Sequence, residues 1–323
     1  MEHGRRIALL ALCLAVAAQA GAQQATRVYR IGILEREAAD SMNFAAFREG
    51  MRELGYVEGR NLAFEYRSSQ GSNDLYPKLA AELVALKVDL IVARGTPAIL
   101  AAKQATHTIP IVMSGAGDPV RSGLVASLAR PGGNVTGLMG FLELSPKRLQ
   151  LLTQLFPKIE EIGVLLNLSN PNAHGERREL EAAAPGFGIQ LRTYDVRVVD
   201  DLNRAFEDAA RRRLRAMYVS LDTLTQVNRK LIAELALKHR VPTVSPTSEF
   251  VQDGGLMSYG PSYPALYREA ANVADRIFKG AKPADIPVAQ PTQFELVFNA
   301  KTAKALKVTI PQRLVVSADK VID

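Results

Sequence analysis

This chain has a single cysteine, four histidines and no apolar run long enough to span a membrane. Cys13 lies in the N-terminal leader, so the rest of the chain has no thiol. That excludes a disulfide framework, a thiolate metal site and a cysteine nucleophile. His3 is also in the leader. His107, His174 and His239 sit in polar helix-end or turn contexts with no partner at metal-ligand spacing, and they read as surface residues. No G-x-S-x-G elbow, phosphate-cradling loop or complete G-x-G-x-x-G follows a strand; Gly115-Ala116-Gly117 lacks the third glycine. Without a nucleophile–base pair, a secreted hydrolase or lyase is a poor reading. Neither zinc spacing nor a basic patch interleaved with aromatics is found, so no metal, cofactor or nucleic acid is expected. The 40 basic and 33 acidic residues are spread along the chain, apart from Arg211-Arg212-Arg213 closing a polar helix, and read as a solvated surface.

What is present begins with an address. Arg5-Arg6, the apolar run Ile7–Ala18 and Ala20-Gly21-Ala22 describe a secretory signal peptide over residues 1–22. The apolar core falls short of the roughly 20 residues a membrane span needs. Cleavage after Ala22 leaves Gln23 first; cleavage after Ala20 is the alternative. Leu12 stands before Cys13 where a lipobox wants a small residue, which argues against lipidation. The mature protein is therefore expected to be exported.

About 300 mature residues exceed what one core fills, so two lobes are expected. From Arg27 onward, strands and helices alternate. Val28–Leu34, Asn61–Tyr66, Val88–Ala93, Ile109–Met113 and Asn134–Met139 read as five strands, with helices at Phe44–Leu54, Leu75–Leu86 and Val120–Ala129. A second run of the same kind holds strands Ile162–Asn167, Ile189–Tyr194, Ala216–Leu221 and Val241–Val244. The fold class is α/β: two lobes, each a mostly parallel sheet flanked by helices. Lobe one takes residues 27–140 plus 256–292, and lobe two takes 141–255 plus 293–323. Leu138–Phe141, Gly255–Gly260 and Gln293–Asn299 are the candidate hinge crossings, and Leu314–Ser317 is a last short strand.

The stretch Leu90–Asp118 organises the rest. Two strands there end in small-residue turns, each with a helix-capping residue before proline: Thr96-Pro97 and Asp118-Pro119. Parallel strands put such turns on one rim, where helix N-termini offer unpaired N–H groups to an anionic or zwitterionic ligand. Gly95, Thr96, Ser114 and Asp118 are the lobe-one candidates. Asn167, Asp222 and Glu249 end strands of lobe two. Tyr259 precedes Gly260-Pro261 at the lobe interface. For Thr96, Asp118 and Asp222 the alternative is helix capping alone; for Glu249 it is an exposed place in a short helical turn, and for Tyr259 a core aromatic.

Several stretches together resemble one exported family: Leu54–Asn61, Gly95–Ala98 with Ala102–Thr106, Gly117–Val120, Ser122–Gly137, Glu249–Pro261 and Lys279–Val297. The chain from Arg27 to Asp323 is similar to ABC-transporter substrate-binding proteins of the tryptophan/tyrosine-type group. That resemblance implies a type I periplasmic binding fold, three hinge strands and an interlobe cleft. The ligand it implies is small, zwitterionic or carboxylate, and amino-acid-like. It further implies delivery to ABC permease membrane subunits, with no catalysis and no cofactor, by a protein expected to be a monomer. A ligand-sensing subunit for a membrane sensor or chemoreceptor is the alternative role. By position the resemblance puts Gly95, Thr96, Gly117 and Asp118 on one rim and Asn167, Asp222 and Glu249 on the other. Ser245-Pro246 stands where the family often has Tyr-Pro, and Thr223-Leu224-Thr225 where it often has a bulkier run. These departures remove possible stacking partners for an aromatic amino acid.

Overall fold

A computed structural model describes residues 27–36, 38–140 and 144–323, without the side chains of 171 and 172. The expected signal peptide, with Cys13, lies outside the described residues. Sheet A holds β1 (Tyr29–Glu35), β2 (Leu62–Ser68), β3 (Leu90–Ala93), β4 (Ile111–Ala116) and β5 (Val135–Met139), in the order β2-β1-β3-β4-β5. All its pairings are parallel, so each connection crosses over, by a helix in the first three and by a loop between β4 and β5. The crossover helices are α1 (Met42–Glu53), α2 (Tyr76–Ala85) and α3 (Thr96–Ala105). Buried on both faces, β3 reads as an unbroken apolar run, Leu90-Ile91-Val92-Ala93.

Sheet B repeats the arrangement with β6 (Glu161–Leu166), β7 (Gln190–Asp195), β8 (Met217–Val219), β9 (Thr243–Ser245) and β10 (Met257–Pro261), then adds β11 (Phe294–Asn299) and β12 (Lys320–Ile322). Its order is β12-β11-β10-β9-β8-β6-β7, and among the described residues only the β10–β11 pairing is antiparallel. The helices here are α4 (Ser145–Leu155), α5 (Pro171–Ala183), α6 (Val199–Arg211), α7 (Thr223–Val227), α8 (Arg229–His239) and α9 (Ser248–Gln252). The long α10 (Tyr263–Phe278) follows β10 but packs back on α1 of the other lobe, burying Tyr267, Ala270, Ala271 and Ala274 with Phe47 and Met51. Two short helices, α11 (Ala300–Ala305) and α12 (Gln312–Ser317), close the chain around β12.

Three expectations change. Val120–Ala129 is a loop, not a helix: Asp118 Oδ1 accepts from the backbone N–H of Val120 and Arg121, and the Pro119 carbonyl accepts from both Leu124 and Val125. These turn bonds use up the groups a helix would have needed. Leu314–Ser317 is helical, and the last strand lies at Lys320–Ile322, beside β11. The boundary set at 256 also shifts. β10 finds its backbone partners in β9 and β11, so residues 257–261 belong to sheet B and the chain leaves it at Pro261-Ser262.

The chain passes between the sheets three times: between β5 and α4, between β10 and α10, and between Ala289 and β11. The first passage includes residues 141–143, outside the described residues. Before the third, the Pro-rich connector runs beside β5, with Met139 N–H donating to Ala289 O and Ala289 N–H to Gly137 O. Gly137 sits at φ +121°, where a Cβ would lie 2.4 Å from the Met113 carbonyl oxygen; only glycine fits there.

Candidate functional site

The carboxyl rims of the two sheets face each other across a cleft of about 830 Å³, its open mouth included. Lobe one contributes Arg36 after β1, Arg94-Gly95-Thr96-Pro97 after β3 and Gly115-Ala116-Gly117 at the end of β4. Lobe two contributes Asn170, Glu176, Leu221-Asp222-Thr223 and Pro246, with Arg148 from α4. Tyr76 and Tyr263 supply the rings, both from the lobe-one side.

Gly95 caps α3 at φ +83°, one residue earlier than the sequence suggests for Thr96. Thr96 is thereby the first helical residue, and its Oγ1 accepts from Gly117 N–H at 3.2 Å. Gly95 N–H in turn donates to Gly115 O at 3.1 Å. Two rim turns are thus laced together, and the N-terminus of the ten-residue α3 opens onto the cleft. Arg94 is 2% exposed, with its guanidinium 4.0 Å from the Tyr263 ring centroid. Such stacking holds a buried cation in a fixed direction. Gly115 makes room for that ring: a Cβ there would sit 3.0 Å from Tyr263 Cε1.

On the facing rim, Asp222 is 4% exposed and caps α7. Its Oδ1 accepts from Leu224 N–H at 2.9 Å and from Asn167 Nδ2 at 3.2 Å, while Oδ2 accepts from Asn170 Nδ2 at 2.8 Å. The side chain also accepts from the Thr225 backbone N–H in a capping box. Deeper in the cleft, Tyr218 OH donates to Glu176 Oε1 at 2.6 Å, and Arg148 donates to Tyr218 OH at 2.8 Å and to Tyr259 O at 2.7 Å. Burial pushes the Glu176 carboxyl above its ordinary range, although the nearby Arg148 pulls the other way. Burial likewise raises the phenols of Tyr218, Tyr263 and Tyr76.

Gly95, Thr96 and Asp222 line the cleft, and Asn167 stands behind Asp222 as its hydrogen-bond donor. Ser114 is fully buried under the rim, donating to Ala93 O. Asp118 is engaged by its own turn. Tyr259 stacks on Phe294 and lends only its carbonyl, to Arg148. Glu249 lines a separate groove, where its Oε1 accepts from Asn43 Nδ2 at 2.7 Å and lies 3.4 Å from Arg94 Nη2. The sequence reading missed Arg36, Tyr76, Arg94, Arg148, Asn170, Glu176 and Tyr263. Of these, Arg94 and Asn170 carried a signal, because each adjoins a rim turn after a strand.

The model of the family described as ABC transporter substrate binding protein matches residues 30–322. The chain belongs to that family. Its members are substrate-binding proteins of ABC transporters, which work outside the cytoplasm, and are not enzymes. A tyrosine-binding protein of Clostridioides difficile is 30% identical over 278 residues, spanning 85% of this chain and 80% of that protein. Among solved structures, an ABC domain in complex with L-Trp from Streptococcus pneumonia is 26% identical. It has a TM-score of 0.84, with 91% of this chain and 100% of that one covered. A ligand-free, open substrate-binding protein with adhesive properties from Clostridium difficile is also 26% identical but has a TM-score of 0.68, covering 92% and 99%. A leucine-binding protein from Thermotoga maritima, at 14% identity and TM-score 0.58, shares the fold, covering 86% of this chain and 87% of that one. No helix among the described residues is long and apolar enough to cross a membrane.

Proposed function

We propose that this family member is periplasmic, encloses a small amino-acid-like zwitterion between its lobes and hands it to the membrane subunits of an ABC permease. One observation carries the reading: a single cleft is lined from both carboxyl rims, with a helix N-terminus and buried arginine on one side and a buried carboxylate on the other. In this reading the ligand carboxylate lies toward Gly95-Thr96 and Arg94, and its ammonium group donates to Asp222 Oδ2. Arg36 adds positive charge on the carboxylate side. Tyr76, Tyr263, Pro97, Pro246 and Pro261 surround an apolar body. Rings on the lobe-one side take over the stacking role that Ser245-Pro246 and Thr223-Leu224-Thr225 do not supply, so an aromatic amino acid fits the lining. The names of the relatives, one tyrosine-binding and one holding L-Trp, agree with that class. The hinge is assigned to the three passages between sheets, the leader is removed after Ala22, and the protein works as a monomer.

Calorimetry on the mature chain tests this with L-tyrosine, L-tryptophan and L-leucine, each beside its des-amino acid and its decarboxylated amine. At least one amino acid is expected to bind, and both of its truncated analogues to bind far more weakly. A des-amino analogue that binds as tightly as its parent overturns the role given to Asp222. N-terminal sequencing of periplasmic material checks the leader, with Gln23 first as the expected result.

A further inference from the structure

Glu249 is set apart from the ligand cleft, yet it is a buried carboxylate whose side-chain partners come from the other lobe. It belongs to α9 of lobe two, and both of its partners belong to lobe one: Asn43 in the first turn of α1 and Arg94 at the end of β3. Asn43 is 1% exposed, Arg94 2% and Glu249 7%, and this burial requires the lobes to be together. Around the same seam, Thr223 Oγ1 donates to Asn73 Oδ1 at 3.1 Å, and Val227 presses on Gly71.

We propose that Glu249 is an interlobe latch. It holds the closed arrangement through Asn43 and keeps Arg94 pointed along the Tyr263 ring toward the cleft, without touching the ligand itself. That makes it a positioning residue for binding. The latch is deliberately incomplete: Glu249 Oε2 and Asn43 Oδ1 are buried with no hydrogen-bond partner. A buried carboxylate satisfied at one oxygen gains less from closure than a fully paired one. Closure is therefore favoured by the latch but not locked by it, which leaves the ligand to complete it. The proposal rests on the cleft being the ligand site only for the role of Arg94; the latch itself is testable without any ligand.

The test is oxidative trapping of the ligand-free protein carrying N73C and T223C, a pair that meets only when the lobes are closed. With no other thiol in the mature chain, the disulfide-forming rate reports the closed fraction even when it is small. Glu249→Ala is expected to slow trapping about tenfold, the size of one charge-assisted hydrogen bond. Asn43→Ala should slow it by less, and the double variant should trap no more slowly than Glu249→Ala. Glu249→Gln, which keeps an acceptor for Asn43, should restore part of the rate. Equal trapping in parent and Glu249→Ala, with both folded by circular dichroism, overturns the latch. So does strict additivity of the two substitutions. Failure of the cleft reading would show separately, in calorimetry, as no binding by any amino acid while trapping still responds to Glu249.

Discussion

The two rims of the cleft are built from the same strand–turn–helix unit but carry opposite chemistry. Lobe one offers backbone and cation: glycines at Gly95 and Gly115 let the chain turn tightly, α3 opens its N-terminus, and Arg94 lies flat on Tyr263. Lobe two offers carboxylates held by side-chain amides and phenols, Asp222 by Asn167 and Asn170 and Glu176 by Tyr218, with Arg148 as a cation whose donors go to Tyr218 and the Tyr259 carbonyl. The difference shows how one fold gives a cleft an electrical direction. In the proposed reading, a zwitterion with its carboxylate toward lobe one meets Arg94 and the α3 N-terminus at one end and Asp222 at the other.

The sharpest way to break the comparison is to remove charge from the acidic rim. Asp222→Asn leaves shape and one oxygen acceptor but takes away the counter-charge for an ammonium group. Removing one member of a buried charge pair costs about 2–5 kcal/mol, so affinity for a bound amino acid should fall at least about thirtyfold. The des-amino analogue should lose almost nothing, and calorimetry on the two ligands isolates the interaction. Equal losses for both would mean Asp222 acts only as the cap of α7. The melting temperature should be recorded alongside, because losing a cap costs about 1 kcal/mol.

A smaller break is expected on the backbone rim. Gly115→Ala places a methyl 3.0 Å from the Tyr263 ring at φ +139°, so the ring or the turn must shift. Such a backbone conformation costs about 1–3 kcal/mol for a residue with a side chain, and stability should drop by that order in denaturant titration. Because Arg94 stacks on the displaced ring, affinity should fall as well. Gly186→Ala, in a place where a Cβ meets nothing, serves as the silent control.

Glu176 sharpens the comparison by pH. Its folded pKa is raised above the usual 4.5 by burial, so the unfolded chain releases its proton first as pH climbs. From about pH 4.5 upward the unfolded state therefore binds fewer protons than the folded one, and this residue withdraws stability until its folded pKa is passed. Glu176→Gln should flatten that decline in a series of melts between pH 4 and 8, leaving the acidic end unchanged. A parallel decline in both proteins would place the pH dependence elsewhere.

How much of this was legible in the sequence follows from range. Val88–Ala93 and Ile109–Met113 announced parallel strands because burial on both faces leaves an apolar run. Gly95-Thr96 and Asp222 were legible because the rim of a parallel sheet is fixed by strand ends. Arg148, Glu176 and Tyr263 were not: Arg148 reaches the site through Tyr218, 70 residues away, and Tyr263 through the return of α10 onto the other lobe. Val120–Ala129 was misread because Asp118-Pro119 has the form of a helix start, while the turn that Asp118 closes instead is local but visible only as geometry. Glu249 was chosen as a charged rim residue, and its partners Asn43 and Arg94 lie 206 and 155 residues away.

The smallest effect is expected at Asp118, the aspartate of the turn after β4. Asp118 and Asp222 both follow a strand and both accept backbone N–H groups, but their surroundings differ. Asp222 is 4% exposed and borders the cleft, whereas the Asp118 side chain is 34% exposed, spends Oδ1 on Val120 and Arg121, and meets the Arg121 guanidinium at 3.5 Å in solvent. Asp118→Asn keeps Oδ1 as an acceptor and removes only an exposed ion pair, worth roughly 0–1 kcal/mol. Affinity should stay within about twofold of the parent, and any loss of stability should shrink as salt is raised. A large, salt-insensitive loss of amino-acid affinity in Asp118→Asn would place a carboxylate contact on lobe one and undo the division of charge between the rims.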